Sequence, residues 1–132
     1  MTDEQRTIAS ACFEAAEHDT IPFPTIVGRL IEAGFEGYYV DLRRGEIAYY
    51  LPAGQSVTCA TEPGPAPESP AFDVAVVRAA IRDAQTQAPG YTYRGFCARV
   101  VAAGCVGYLV SFPGRRVVYL GRTGETHTEM FP

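Results

Sequence analysis

Few side chains in this sequence could handle a proton, and three have spacing worth weighing. Asp41 stands in Tyr38-Tyr39-Val40-Asp41-Leu42, a carboxylate among aromatic and branched neighbours, with Tyr50 further along. A carboxylate flanked by Tyr39 and Tyr50 can orient a ligand on an aromatic floor, as pockets combining apolar walls with a few polar groups do. If buried, it can also act as a base. The competing reading is an edge carboxylate paired with Arg43, Arg115 or Arg116. His127 and Glu129 lie two apart in Thr126-His127-Thr128-Glu129. In an extended segment both point the same way and can share a proton or a metal, although a lone His-x-Glu is more often solvated or packed against a tail. Beside such acid–base groups, Arg116 or Arg122 can clamp an anion. His18 closes the first helical pattern, where the helix dipole favours it, and carries no assigned chemistry.

The remaining motifs exclude more than they support. Cys12, Cys59, Cys97 and Cys105 have no paired spacing and read as small buried hydrophobes in a reducing compartment, so neither a metal site nor a cofactor is expected. There is no nucleotide-binding glycine loop, no Gly-x-Ser-x-Gly and no His-Glu-x-x-His.

The net charge of −4 divides unevenly. Residues 1–72 carry eleven acids against four arginines, residues 73–132 four acids against seven arginines, and there is no lysine. An acidic total argues against nucleic acid as the main partner. Oppositely charged halves attract one another within a chain or between subunits. No apolar run approaches the ~20 residues needed to cross a bilayer, and no basic-then-apolar leader opens the chain. The expectation is a cytoplasmic protein that does not engage a membrane.

The elements that position these residues come as a duplicated unit. A shift of 70 lays Arg29-Leu30-Ile31-Glu32-Ala33-Gly34-Phe35-Glu36-Gly37-Tyr38 onto Arg99-Val100-Val101-Ala102-Ala103-Gly104-Cys105-Val106-Gly107-Tyr108, and the match runs on through Val40/Val110, Tyr49/Tyr119 and Gly54/Gly124. Coincidence at arginine, glycine and tyrosine points to duplication rather than shared periodicity. Halves of about sixty residues bury too little surface to stand alone, so one core is expected.

Within the first half, Thr2-Asp3-Glu4-Gln5 is a capping box opening a helix to about Glu17. A second helix starts near Pro24 and stops at Gly34, a left-handed cap. Tyr38 to Leu42 and Glu46 to Leu51 read as a β-hairpin. In the second half, Asp73 and Thr92 cap two helices, Gly104 ends the latter, and Cys105 to Phe112 with Arg115 to Leu120 form a hairpin turned at Pro113-Gly114. The reading is an α+β fold of one domain, 1–132. A helix-helix-strand-strand unit occurs twice (1–54 and 73–132), joined by a proline-rich linker over 55–72 and ending in a polar tail. It gives four helices on a four-stranded antiparallel sheet with a pseudo-two-fold.

Alternation then separates two strand faces. Tyr38, Val40, Leu42, Ile47, Tyr49, Tyr108, Val110, Phe112, Val117 and Tyr119 fit a core under the helices. The opposite face, Tyr39, Asp41, Ala48, Tyr50, Leu109, Ser111, Val118 and Leu120, is too apolar for open water. Helices cover it, or it is a dimer interface, or it lines a pocket.

As a set, Phe23-Pro24, Ala33-Gly34, Gly37-Tyr38, Val40-Asp41, Tyr49-Tyr50-Leu51-Pro52 and Gly54 resemble the YbcV-like family. So do Ala102 through Tyr108, Val118 through Glu125, and His127 through Pro132. That family is a domain of unknown function whose members are often labelled "phage envelope protein". The resemblance covers nearly the whole chain and implies a compact α+β protein without an assigned activity. Members often carry histidine where this chain has Tyr39 and near Val57. Only His127 remains here, so the resemblance does not extend to a symmetric histidine site.

The leading expectation is a small non-catalytic binding or regulatory protein, forming a homodimer and using the Tyr39/Asp41/Tyr50 face or the cleft between the repeats, with Arg116 and Arg122 as further ligand-binding candidates, to meet a small molecule or protein partner. The alternative is a small enzyme with Asp41, His127 and Glu129 as acid–base groups, which requires Asp41 and His127 to meet in one concave site. A phage-derived structural role is suggested by the family label alone.

Overall fold

The computed structural model describes residues 1–61 and 69–132. Its α+β class agrees with the sequence, but the sheet has six strands, not four. Helices α1 (Asp3–Glu17) and α2 (Phe23–Glu32) precede β1 (Gly37–Asp41), β2 (Glu46–Tyr50) and β3 (Ser56–Ala60). Helices α3 (Val74–Thr86) and α4 (Tyr93–Ala102) then precede β4 (Cys105–Ser111), β5 (Arg116–Gly121) and β6 (Thr126–Met130). The unit is therefore helix-helix-strand-strand-strand, twice.

The two added strands are the edges, and their composition explains the difference. In β3, Val57 and Cys59 turn toward the helices while Ser56, Thr58 and Ala60 face out; β6 repeats this with His127 and Glu129 inward and Thr126, Thr128 and Met130 outward. Strands that bury so little apolar surface lack the hydrophobic alternation that marks a strand in sequence. The expected linker thus begins with a strand, and its prolines Pro63, Pro65 and Pro67 lie outside the described residues.

Local chemistry sets the helix boundaries. Thr2 and Gln5 close the capping box of α1 reciprocally, and Asp73 and Thr92 accept N–H groups at the starts of α3 and α4. Gly34 (φ 101°) and Gly104 (φ 95°) follow α2 and α4 in the left-handed conformation, each returning its N–H to the helix.

The sheet order is β3-β2-β1-β4-β5-β6, antiparallel throughout. At its centre Tyr39 faces Leu109, flanked by Tyr38–Val110 and Val40–Tyr108. Leu109 is Tyr39 shifted by one repeat, so exchanging the halves maps this pairing onto itself. A pseudo-two-fold passes through the Tyr39–Leu109 pair.

One core joins the halves. Tyr38, Val40, Ile47, Tyr49, Tyr108, Val110, Val117 and Tyr119 pack beneath Leu30, Val77, Phe96 and Val100 of the helices. Leu30, Val77, Val100 and Val110 are essentially sealed from solvent, each contributing roughly 1.5–3 kcal/mol by burial. The inward tyrosines also pack edge-on or tilted against one another and against Phe35, Phe96 and Phe112. Beneath the helices the Tyr93 and Tyr108 hydroxyls hydrogen-bond one another.

Candidate functional site: the open face of the sheet

Every described helix that contributes to the core packs on one face of the sheet. The other face runs in three rows across all six strands, set by the pairing register. The central row is Thr58, Ala48, Tyr39, Leu109, Val118 and Thr128. Above it lie Ser56, Tyr50, Gly37, Ser111, Arg116 and Met130; below it, Ala60, Glu46, Asp41, Gly107, Leu120 and Thr126. Tyr50, Leu109 and Met130 stand 39%, 42% and 52% exposed. Of the three states expected for this face, intrachain cover by helices is therefore not the one observed among the described residues.

Asp41 ends β1 rather than standing mid-strand. Its Oδ1 accepts the backbone N–H groups of Arg43 and Arg44 at 3.1 and 3.0 Å, closing the hairpin turn. Its repeat equivalent, Ser111, accepts the Gly114 N–H with Oγ at 3.0 Å. Two side chains of different chemistry thus do the same local job in the two halves. Burial raises the Tyr39 phenol above its ordinary value, with the Asp41 carboxylate nearby adding to the effect. Tyr39 and Asp41 share the open face, and Tyr50 lies on it one row beyond Tyr39.

Arg116 and Arg122, each a candidate to clamp an anion, stand at opposite ends of β5. Arg116 begins β5 on the open face, its Nε donating to the Gly114 carbonyl at 3.0 Å. Arg122 follows the other end of the strand and reaches the Ser69 carbonyl with Nη1 at 3.4 Å. Six residues of strand at ~3.4 Å each separate their backbones by roughly 20 Å.

His127 and Glu129 are brought together, with Nε2 and Oε2 3.0 Å apart, and the imidazole stacks on the Tyr119 ring. They lie on the helix-covered side of β6, opposite Tyr119 and Val117. Asp41 lies on the open side of β1, with β4 and β5 between. At ~4.8 Å per strand the two backbones are roughly 14 Å apart across the sheet plane, and the side chains leave it in opposite directions. The structure therefore does not assemble Asp41, His127 and Glu129 into one constellation.

The four cysteines are free. Burial raises the thiol of each above its ordinary value, that of Cys97 to about 12. Among the described residues, no group of His, Cys, Asp and Glu is arranged to hold a metal ion, and no helix is long and apolar enough to cross a membrane.

Sequence reasoning placed Glu46 in a strand but gave it no role. It lies beside Asp41 on the open face, with Arg44 Nε bonded to its Oε1 at 2.9 Å. The available signal was the repeat itself, because the shift that aligns the halves sets Glu46 against Arg116. Compared with protein-family models and with curated proteins, the chain matches none.

Proposed function

We propose that the protein is a small non-catalytic binding or regulatory protein whose working surface is the open face of the sheet, centred on Tyr39 and Leu109, and that it belongs with the YbcV-like proteins it resembles. The observation supporting this reading is a one-sided helical layer on a sheet whose other side presents a contiguous apolar centre, Ala48, Tyr39, Leu109 and Val118, with Tyr50 and Leu120 beside it. Exposed contiguous apolar patches on soluble chains mark interaction sites. Tyr39 and Tyr50 supply large, stiff contact area with a polar tip, and Asp41, Glu46 and Arg116 supply charge at the margins. This is the anatomy of a recognition surface with an apolar centre and a polar rim.

Leu109→Glu tests the proposal, because it places a charge at the centre of the face without touching the core. Native mass spectrometry and sedimentation of the wild type should find a bound companion, whether a small molecule, a second copy or another protein. The variant should melt like the wild type and carry none. A wild type recovered bare, with the same mass as the variant under all conditions, would overturn the reading.

A further inference from the structure

The pseudo-two-fold that relates the halves carries Glu46 onto Arg116, because 46 and 116 differ by one repeat and occupy equivalent places on β2 and β5. An acid and a base therefore stand at diagonally opposite corners of the open face. From three strand spacings across and four residues along, their backbones are roughly 20 Å apart, too far to pair within one chain. Glu46 holds Arg44 through Oε1, and its Oε2 makes no bond to a described side chain. Among the described residues Arg116 bonds through Nε to the Gly114 carbonyl and its terminal nitrogens bond no side chain, which leaves them for an acceptor on another copy.

Building on the proposed role of this face, we infer that its occupant is a second copy of the chain, docked sheet to sheet. The two copies are related by a dyad along the Tyr50–Leu120 diagonal, so that Glu46 of each meets Arg116 of the other. Reflection across that diagonal exchanges the two charged corners and crosses the sheets near a right angle, one of the two arrangements in which sheets pack. It brings Tyr50 near its own copy, Leu120 near its own copy, and the Tyr39–Leu109 centres together. The contact is isologous and closed, so it makes a dimer rather than a fibre. Six strands of five residues give a face of roughly 29 by 17 Å. Crossed near a right angle, two such faces overlap over roughly 17 by 17 Å and bury about 600 Å² together, below the range of stable specific interfaces, so the dimer is weak and forms only as concentration rises. The charge pairs fix the register on that apolar centre.

The test exchanges charges between copies. Glu46→Arg carries base at both corners and Arg116→Glu carries acid at both, so each variant opposes itself and complements the other. Sedimentation over a range of concentrations should find the wild type dimeric, each variant weakened in self-association about tenfold or more, and an equimolar mixture restored to dimer. Thermal melts establish that both variants are folded. Should either prove unstable, Glu46→Gln and Arg116→Gln must each weaken the dimer in the same direction. Variants that dimerise as well as the wild type, or a mixture that stays monomeric, would overturn the paired-corner dimer. A monomeric wild type that still loses a different bound companion on Leu109→Glu would overturn the second copy as occupant while leaving the binding face standing.

Discussion

The hydroxyl end of the Tyr39 ring lies against Gly107 on the neighbouring strand, in the space a Cβ at that position would fill. The Val40 carbonyl closes the same space at 2.7 Å from where that Cβ would sit. Gly107 therefore lets an aromatic ring lie on the sheet at the centre of the open face, and the ring in turn helps bury the glycine backbone. Gly107→Ala should destabilise by about 2 kcal/mol or more, as an overpacked site does. In a Tyr39→Ala background the cost should fall by about 1 kcal/mol, because only the backbone clash remains. Denaturant melts of the four proteins give the coupling, and additive effects would show that ring and glycine do not meet.

The two helix-ending glycines should differ in their tolerance of alanine. Both have φ near 100°, which costs a residue with a Cβ about 1–2 kcal/mol. At Gly34 the added Cβ meets only the flexible Gln5 amide at 3.4 Å, whereas at Gly104 it meets the Ala71 carbonyl oxygen at 2.8 Å. Gly34→Ala should thus cost about 1 kcal/mol and Gly104→Ala clearly more. Equal losses would mean that conformation alone decides both sites.

Asp41 makes a turn, and that role predicts a simple series. Asp41→Asn keeps an oxygen that can accept from Arg43 and Arg44, while Asp41→Ala leaves those N–H groups to water. Alanine should cost about 1 kcal/mol and asparagine markedly less. If asparagine were as damaging as alanine, the charge would matter more than the turn.

Alkaline pH should weaken the fold through Cys97. Burial raises its thiol from an ordinary 9.0 to about 12, with the Tyr93 hydroxyl beside it lowering it somewhat. A raised native pKa means the unfolded chain loses this proton first, so above about pH 9 it binds fewer protons than the native state and stability falls as pH rises. The slope approaches ~1.4 kcal/mol per pH unit for this one group between about pH 9 and 12. Below pH 9 the group has no effect. Cys97→Ala should lessen the decline measured by melts from about pH 9. Above about pH 10 the buried tyrosines, also raised by burial, steepen it in both proteins. The native thiol should resist labelling at pH 8. Rapid labelling of Cys97 in the folded protein would contradict the burial.

The helices, their caps and both hairpins were legible because each carried its own signal: a hydroxyl or carboxylate before an apolar stripe, a glycine after it, aromatic alternation in the inner strands. The edge strands lacked one. Ser56 to Ala60 and Thr126 to Met130 pair with β2 and β5 through their backbones, and their side chains are mostly polar or small. The 70-residue register did extend to them, aligning Ser56 with Thr126 and Thr58 with Thr128, but so few shared residues do not stand out beside a proline-rich stretch. The candidate site was half legible. Strand alternation identified the apolar second face and put Tyr39, Asp41 and Tyr50 on it. It could not say that His127 lies on the other side, because that follows from β6 pairing with β5, a long-range fact with no local trace.

The division between faces can be tested with two consecutive residues of one strand. Val117 points into the core, 8% exposed, and Val118 points to the open face beside Leu109. Backbone context and strand propensity are the same for both, so any difference in tolerance comes from what each side chain meets. Val117→Glu buries a carboxylate under the helices opposite Glu129 and should cost about 3 kcal/mol or more, enough to unfold a marginal domain. Val118→Glu leaves its carboxylate in water and should change the melting temperature little, while weakening whatever binds the face. If Val118→Glu unfolds the protein as Val117→Glu does, the face is covered within the chain and the binding surface does not exist. If both are tolerated, the core does not lie where the tyrosines place it. A stable, correctly folded Val118→Glu that has lost its companion, beside an unfolded Val117→Glu, is the outcome that a one-sided sheet requires.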